Sequence, residues 1–168
     1  MLSMPADRQR PLAEWMVLAL LAEEPSHGFA VARLLAPGGE VGRVWAASRP
    51  LTYRAIDQLA AEGLVTPVRT EPGHGPWRTV HELTPSGRDA LATWLRTPVP
   101  RFRDVRATLL AKLLLLERSG RSTKRLLAAQ RRTFAPRLAE VRATPIVDSV
   151  TRWRRDQAEA IATFLEGD

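Results

Sequence analysis

The stretch SRPLTYRAIDQLAAEG, residues 48–63, decides how the rest of the chain is read. Ser48 is a good helix N-cap, Pro50 is tolerated in a first turn whose amides have no partners, and Gly63 suits the position just past the last turn. At about 100° per residue, Leu51, Ala55 and Leu59 share one face. Arg49, Pro50, Tyr53 and Asp57 lie opposite, with Arg54 at the boundary. One side packs and the other is available to a partner. By itself the stretch also fits a surface helix with a solvated face, so the flanks decide.

Upstream, Pro11 opens a helix through Leu12, Trp15, Met16, Leu18 and Leu21 that is apolar over more than half its girth and therefore buried. It stops at Glu23, Glu24 and Pro25. A second helix follows a Ser26 cap and runs to Leu35, ended by Pro37, Gly38 and Gly39. A connector over residues 40–47 carries Val44 and Trp45, apolar enough to pin the third helix. Downstream of Gly63, the β-rich runs 64–70 and 77–83 flank EPGHGP and read as a hairpin. A hairpin directly behind a candidate recognition helix is a wing. The expected fold is therefore mostly α with a small β-hairpin wing, a winged helix-turn-helix. Arg69 and Arg78 stand near the wing tip and His74 at its apex.

Thr84 and Pro85 start a fourth helix that turns Ala90, Leu91, Trp94 and Leu95 inward. TPVPRF, residues 97–102, is the best boundary in the chain. Beyond it three amphipathic helices are expected: 104–119; 122–142, with a kink or break near Pro136; and 146–165, opened by Thr144 and Pro145. Val150, Trp153, Ile161 and Phe164 form one stripe on the last of these. The three helices hold more apolar surface than a small appendage can hide, so a partner chain is expected over the remainder. The domain reading is a flexible arm over 1–10, more simply a frayed terminus than one that brings Arg8 and Arg10 near a phosphate backbone, a winged helix-turn-helix DNA-binding domain over 11–97, and a helical dimerisation domain over 98–168.

The 168 residues carry a formal net charge of +7, unevenly distributed. Residues 1–97 hold ten Arg against ten acids, whereas residues 98–168 hold fifteen Lys and Arg against eight. Overall charge thus gives weak support for nucleic-acid binding, and only local placement can strengthen it. There is no cysteine, so disulfides and thiolate chemistry are excluded. This fits a cytoplasmic protein. The longest apolar run near the N-terminus, residues 15–22, is too short to span a bilayer, so neither export nor membrane insertion is expected. The three histidines His27, His74 and His81 sit in different elements without a second ligand at metal spacing, and no nucleophile motif is present. The reading is of a non-enzyme needing no metal or cofactor.

PSHGF at 25–29, GRVWAASRPLTYRAIDQLAAEGLV at 42–65 and ELTPSGRDALATWL at 82–95 together resemble the PadR-like transcriptional regulators. The likeness covers residues 11–95 well and the last 70 in general layout. It implies a winged helix-turn-helix followed by a C-terminal helical dimerisation region. It also implies a dimeric repressor of a near-palindromic double-stranded operator, released by a small aromatic or hydrophobic effector entering between subunits. The recognition helix then maps to residues 48–59, with Tyr53 and its neighbours at the DNA. Phe29 stands where the family usually has Tyr. Ser48, Thr52 and Tyr53 are suited to donate to phosphate oxygens, and Arg49 or Arg54 to fork onto guanine. Asp57 is placed to orient Arg54 or Tyr53, or to accept from cytosine. Trp15 and Trp153 are the candidate effector-pocket residues, with core or interface filler as the plainer reading. The competing class is a winged-helix protein-interaction module without specific DNA binding, which the zero charge of residues 1–97 favours.

Overall fold

The computed structural model describes residues 10–73 and 75–167. Arm residues 1–9, Arg8 among them, and His74 lie outside the described residues. The chain divides into two compact units, the first reaching Ala92 and the second starting at Thr93.

In the first unit, α1 (Leu12–Glu23) buries Met16, Val17, Leu18, Leu20 and Leu21, so it is a core helix enclosed on nearly all sides. Arg10, expected on a free arm, is instead held by Glu14 at 2.5 Å and by Glu62. Hydrogen bonds from Gln58 and then Arg10 keep the Glu62 carboxyl below the usual carboxylate range. Arg10 thus ties the start of α1 to the end of the third helix.

Ser26 does not cap the second helix. Ser26–His27 is a two-residue strand, β1, and the cap is His27, whose Nδ1 accepts from the Ala30 amide at 3.2 Å. Helix α2 (Gly28–Leu35) follows. Its last carbonyls are satisfied by the connector: the Val41 and Gly42 amides donate to Leu34, and Ala47 donates to Leu35. Val41 and Ala47 are the buried connector side chains, while Val44 and Trp45 are only half-buried. The pin was therefore placed on the wrong pair.

Helix α3 (Arg49–Ala61) has its cap where the sequence put it, Ser48 Oγ accepting from the Leu51 amide at 3.3 Å. It ends in a Schellman turn: Gly63 takes φ +70°, its amide donates to Ala60, and the Leu64 amide donates to Leu59. The inward face is Thr52, Ala55, Ile56 and Leu59, rotated from the expected one because Leu51 is only half-buried.

The wing is β2 (Val65–Glu71) and β3 (Arg78–Leu83), antiparallel. β1 pairs with the other edge of β3, placing Ser26 opposite His81 and His27 opposite Val80, in the order β1-β3-β2. A register slip between Pro67 and Arg69 leaves Val68 as the extra residue, beside a proline that has no amide for the ladder. Thr84 Oγ1 donates to the Gly63 carbonyl at 2.7 Å and accepts from the Gly87 amide, so one side chain joins the Schellman turn to the start of α4 (Pro85–Arg96).

In the second unit the expected continuous helix over 104–119 is subdivided into a 3-10 turn (Phe102–Asp104), a π-helical turn (Val105–Leu109) and α5 (Leu110–Arg118). Helix α6 (Lys124–Ala143) passes Pro136 without the expected break. Pro136 and Arg132, one turn before it, face solvent, where water can take the freed carbonyl. Helix α7 (Ser149–Glu166) starts later than expected, because Asp148 and Thr151 form a capping box. The core of this unit joins Phe134 and Leu138 of α6 to Ala158, Ile161 and Leu165 of α7, with Phe102 edge-on to Phe134 at 4.8 Å. Val150, Trp153 and Phe164 belong instead to an exposed face of α7. Among the described residues no helix is long and apolar enough to cross a membrane.

Candidate nucleic-acid interface

The outer face of α3 presents Ser48, Arg49, Tyr53 and Arg54 to solvent, all in its first two turns. Thr52 leaves the expected set. It is fully buried and its hydroxyl donates to the Ser48 carbonyl at 3.1 Å, so it cannot reach a phosphate. Its β-carbon points to the core because position 52 falls 100° from 53, on the other side of the helix.

Tyr53 lies against α2. A Cβ placed on Gly28 would stand 2.6 Å from Tyr53 Cε1, so the phenol ring packs closely against the glycine while Tyr53 remains 44% exposed. The helix start at Gly28 is held by the His27 cap and the β1–β3 pairing. Three short elements therefore set the height of the ring.

Between α3 and the wing runs a groove of about 750 Å³. Phe29, Arg49, Tyr53, Asp57, Arg78 and His81 are among the residues lining it. The Arg49 guanidinium stands 4.7 Å from the centre of the Phe29 ring, and that of Arg78 stands 4.8 Å from it. A helix residue and a wing residue thus meet on one aromatic ring of α2. A Cβ on Gly73 would come within 2.7 Å of Arg78 Nε, so this glycine leaves the space in which the Arg78 side chain lies. Among the described residues, Arg49, Arg54 and Arg78 have no carboxylate partner, whereas Arg69 is engaged by Glu71 at 2.8 Å. The two wing arginines are therefore unequal: Arg78 is available and Arg69 is partly neutralised.

Deeper in the groove, burial pushes the His81 imidazole below its ordinary value, against a backbone hydrogen bond at Thr79 and the charge of Asp57. Its Nδ1 is buried without a hydrogen-bond partner among the described residues. Asp57 lines the same groove, and among the described residues it makes no hydrogen bond or ion pair to Arg54 or Tyr53. Trp77, beside Arg78, is the most exposed large apolar side chain of the wing. Sequence reasoning passed over Gly28, Phe29 and Trp77 as interface residues. The signal available was Phe29 standing where the resembled family usually has Tyr, but the two arginines that use its ring are 20 and 49 positions away.

The candidate effector residues belong to different units. Trp15 in the first unit is half-buried and stands 5.4 Å from the Arg10 guanidinium, while Trp153 in the second is 62% exposed on α7. Trp153 is thus not core filler of its own unit.

Comparison with known proteins agrees with this architecture. Residues 17–93 match the family described as the transcriptional regulator PadR-like family. Among solved structures, Bacillus subtilis PadR in complex with operator DNA is 21% identical, with a TM-score of 0.50 over 95% of this chain and 97% of that one. Bacillus subtilis PadR in complex with p-coumaric acid is 19% identical, with a TM-score of 0.48 over 93% and 95%. The Vibrio cholerae virulence activator AphA is 21% identical, with a TM-score of 0.44 over 92% and 89%. No match was found among curated proteins. The likeness to the operator-bound structure is one of fold. Over residues 17–93, a little under half of its length, the chain is thus similar to the transcriptional regulator PadR-like family.

Proposed function

We propose that this protein is a sequence-specific DNA-binding regulator that places the first two turns of α3 in the major groove and the β2–β3 wing beside it. The observation that carries this reading is the set of groups without a carboxylate partner gathered there: exposed Arg49, Tyr53 and Arg54 on the helix and half-buried Arg78 on the wing, in a half of the chain whose overall charge is zero. Guanidiniums free of carboxylates are those able to bind phosphate or guanine without first breaking an ion pair. Ser48 caps the helix at the position where its hydroxyl also reaches solvent.

The regulator acts as a homodimer paired through its C-terminal helices. Val150, Trp153 and Phe164, with Ile146 and Val147 before the helix, are large apolar side chains left exposed on one 18-residue helix. Positions 150, 153, 157, 160 and 164 follow the spacing of 3 and 4 that a second helix covers. The dimer represses from a near-palindromic operator, and a small aromatic or hydrophobic effector entering beside Trp153 releases it by favouring a dimer with mismatched half-site spacing.

The test is selection of duplexes from a random-sequence pool by the full-length protein, followed by titration of the enriched duplex at two salt concentrations. Enrichment of a near-palindrome, bound with an affinity that falls steeply with salt, supports the reading. Salt-sensitive binding without enrichment favours a winged-helix interaction module with only nonspecific affinity for DNA. Arg54→Ala and Tyr53→Ala should each weaken binding to the enriched duplex while leaving the dimer intact; unchanged binding by both removes α3 from the interface.

A further inference from the structure

We infer that Phe29, Arg49 and Arg78 form a two-arginine clamp for a single backbone phosphate of the bound DNA, with the Phe29 ring as its platform. The inference rests on the DNA-binding reading and assigns a role that the exposed face of α3 does not by itself imply.

Both guanidiniums approach one ring, at 4.7 and 4.8 Å from its centre, so their central carbons lie within about 9.5 Å of each other. Two like charges at that separation repel unless an anion lies between them or their charge is drawn off. Among the described residues neither has a carboxylate to do this. The electron-rich face of Phe29 offsets part of the repulsion and fixes where the two forks stand. A phosphodiester between them supplies the rest: each fork donates to a different non-bridging oxygen at ordinary charge-assisted distances of about 2.7–2.9 Å. His27, Tyr53, Asp57 and His81 also line the groove; Asp57 is the one carboxylate among them, and among the described residues it makes no ion pair with Arg49 or Arg78.

The three residues come from three elements, α2, α3 and the wing strand β3, and each element supplies something the others cannot. Arg49 belongs to the first helical residue after the Ser48 cap, so its backbone is held by the cap. Arg78 opens β3 next to the wing loop, and the missing Cβ at Gly73 leaves room for its Nε. Phe29 follows Gly28 in the first turn of α2, whose backbone is fixed by the His27 cap. A tyrosine hydroxyl at position 29 would offer one neutral donor to a phosphate; the phenylalanine instead organises two charged ones.

The test uses the full-length protein and the duplex it enriches from a random pool. Arg49→Ala and Arg78→Ala should each weaken binding about tenfold, and the double variant should lower the slope of log affinity against log salt by about one rather than two, because only one phosphate is neutralised. A scan of single methylphosphonate substitutions should find one position at which wild-type binding drops and at which both variants are insensitive. Phe29→Leu should reproduce the loss and Phe29→Tyr should restore binding, since the ring and not its substituent is used. A slope change of two, or sensitivity of the two variants to different phosphates, overturns the clamp while leaving sequence-specific binding in place. Failure to enrich any duplex overturns the DNA-binding reading and the clamp with it. If Phe29→Leu does not fold, by circular dichroism, the arginine and methylphosphonate results decide alone.

Discussion

Gly28 is the floor on which the Tyr53 ring rests, with Cε1 only 2.6 Å from where a β-carbon would be. The obstructing atoms belong to the far end of a movable side chain rather than to backbone. Gly28→Ala should therefore fold and melt near the wild type, yet turn the ring away from its exposed position. We expect several-fold weaker binding to the enriched duplex, and little further loss when Tyr53→Ala is added. Full additivity in that double-mutant cycle contradicts the relationship.

Ser48 and Thr52 should separate by readout. Ser48→Ala removes the side-chain acceptor for the Leu51 amide and should cost about 1 kcal/mol in stability. Thr52→Val keeps the buried shape and loses only the hydroxyl bond to the Ser48 carbonyl, so DNA affinity should be unchanged. Urea denaturation and duplex titration distinguish the two effects.

Gln130 is fully buried on α6 and joins it to the segment before the helical turns. Its Nε2 donates to the Val99 carbonyl and its Oε1 accepts from the Val99 amide, both at 2.8 Å. Gln130→Leu strands two buried backbone groups and should destabilise the second unit by about 2–4 kcal/mol, measured by urea unfolding followed through a signal from that unit.

Lys112 gives a pH dependence with a definite sign. It is 2% exposed, its Nζ donates to the Thr97 carbonyl and stands 4.8 Å from the Trp94 ring centre, and burial lowers its value from the ordinary 10.5 to about 8. Between these values the unfolded chain holds more protons than the folded one, so stability rises with pH from about 8 towards 10.5 and is flat below 8. The gain approaches about 3 kcal/mol at most. Subtracting the profile of Lys112→Met, which lacks the titration, isolates it; a difference that falls with pH over this window contradicts the burial.

Trp153→Glu tests the exposed face of α7. A charge at this position should shift the protein from dimer to monomer in sedimentation at micromolar concentration while leaving the helical content unchanged. A dimer of undiminished affinity places the subunit contact elsewhere.

The cap, the stop and the exposed face of α3 were legible because they depend on residues within one or two turns of each other: Ser48 with Leu51, Gly63 with Ala60. The wing and the start of α4 were legible for the same reason, from turn residues and Thr84-Pro85. Less legible were contacts of short elements at long range. Nothing in Ser26-His27 announces a strand, because two residues have no period; the pairing with His81 and Val80 creates it. The rotation of α3 by one position is not legible in the sequence because Leu51 and Thr52 are adjacent candidates for the inward face, and a hydroxyl that bonds to its own helix can be buried as a leucine can.

Local sequence alone determined the order of α1 to α4 and the wing strands, the boundaries of α3 and the resemblance to the PadR-like family, since capping, turn chemistry and periodicity act over distances the chain covers in a few residues. Tertiary structure decided which charges remain free. Arg10 and Arg69 are engaged by Glu62 and Glu71, while Arg49 and Arg78 converge on Phe29 from positions 20 and 49 residues away. A guanidinium has the same charge wherever it stands, so only the carboxylates and rings brought beside it by folding determine whether it is available to an anionic partner.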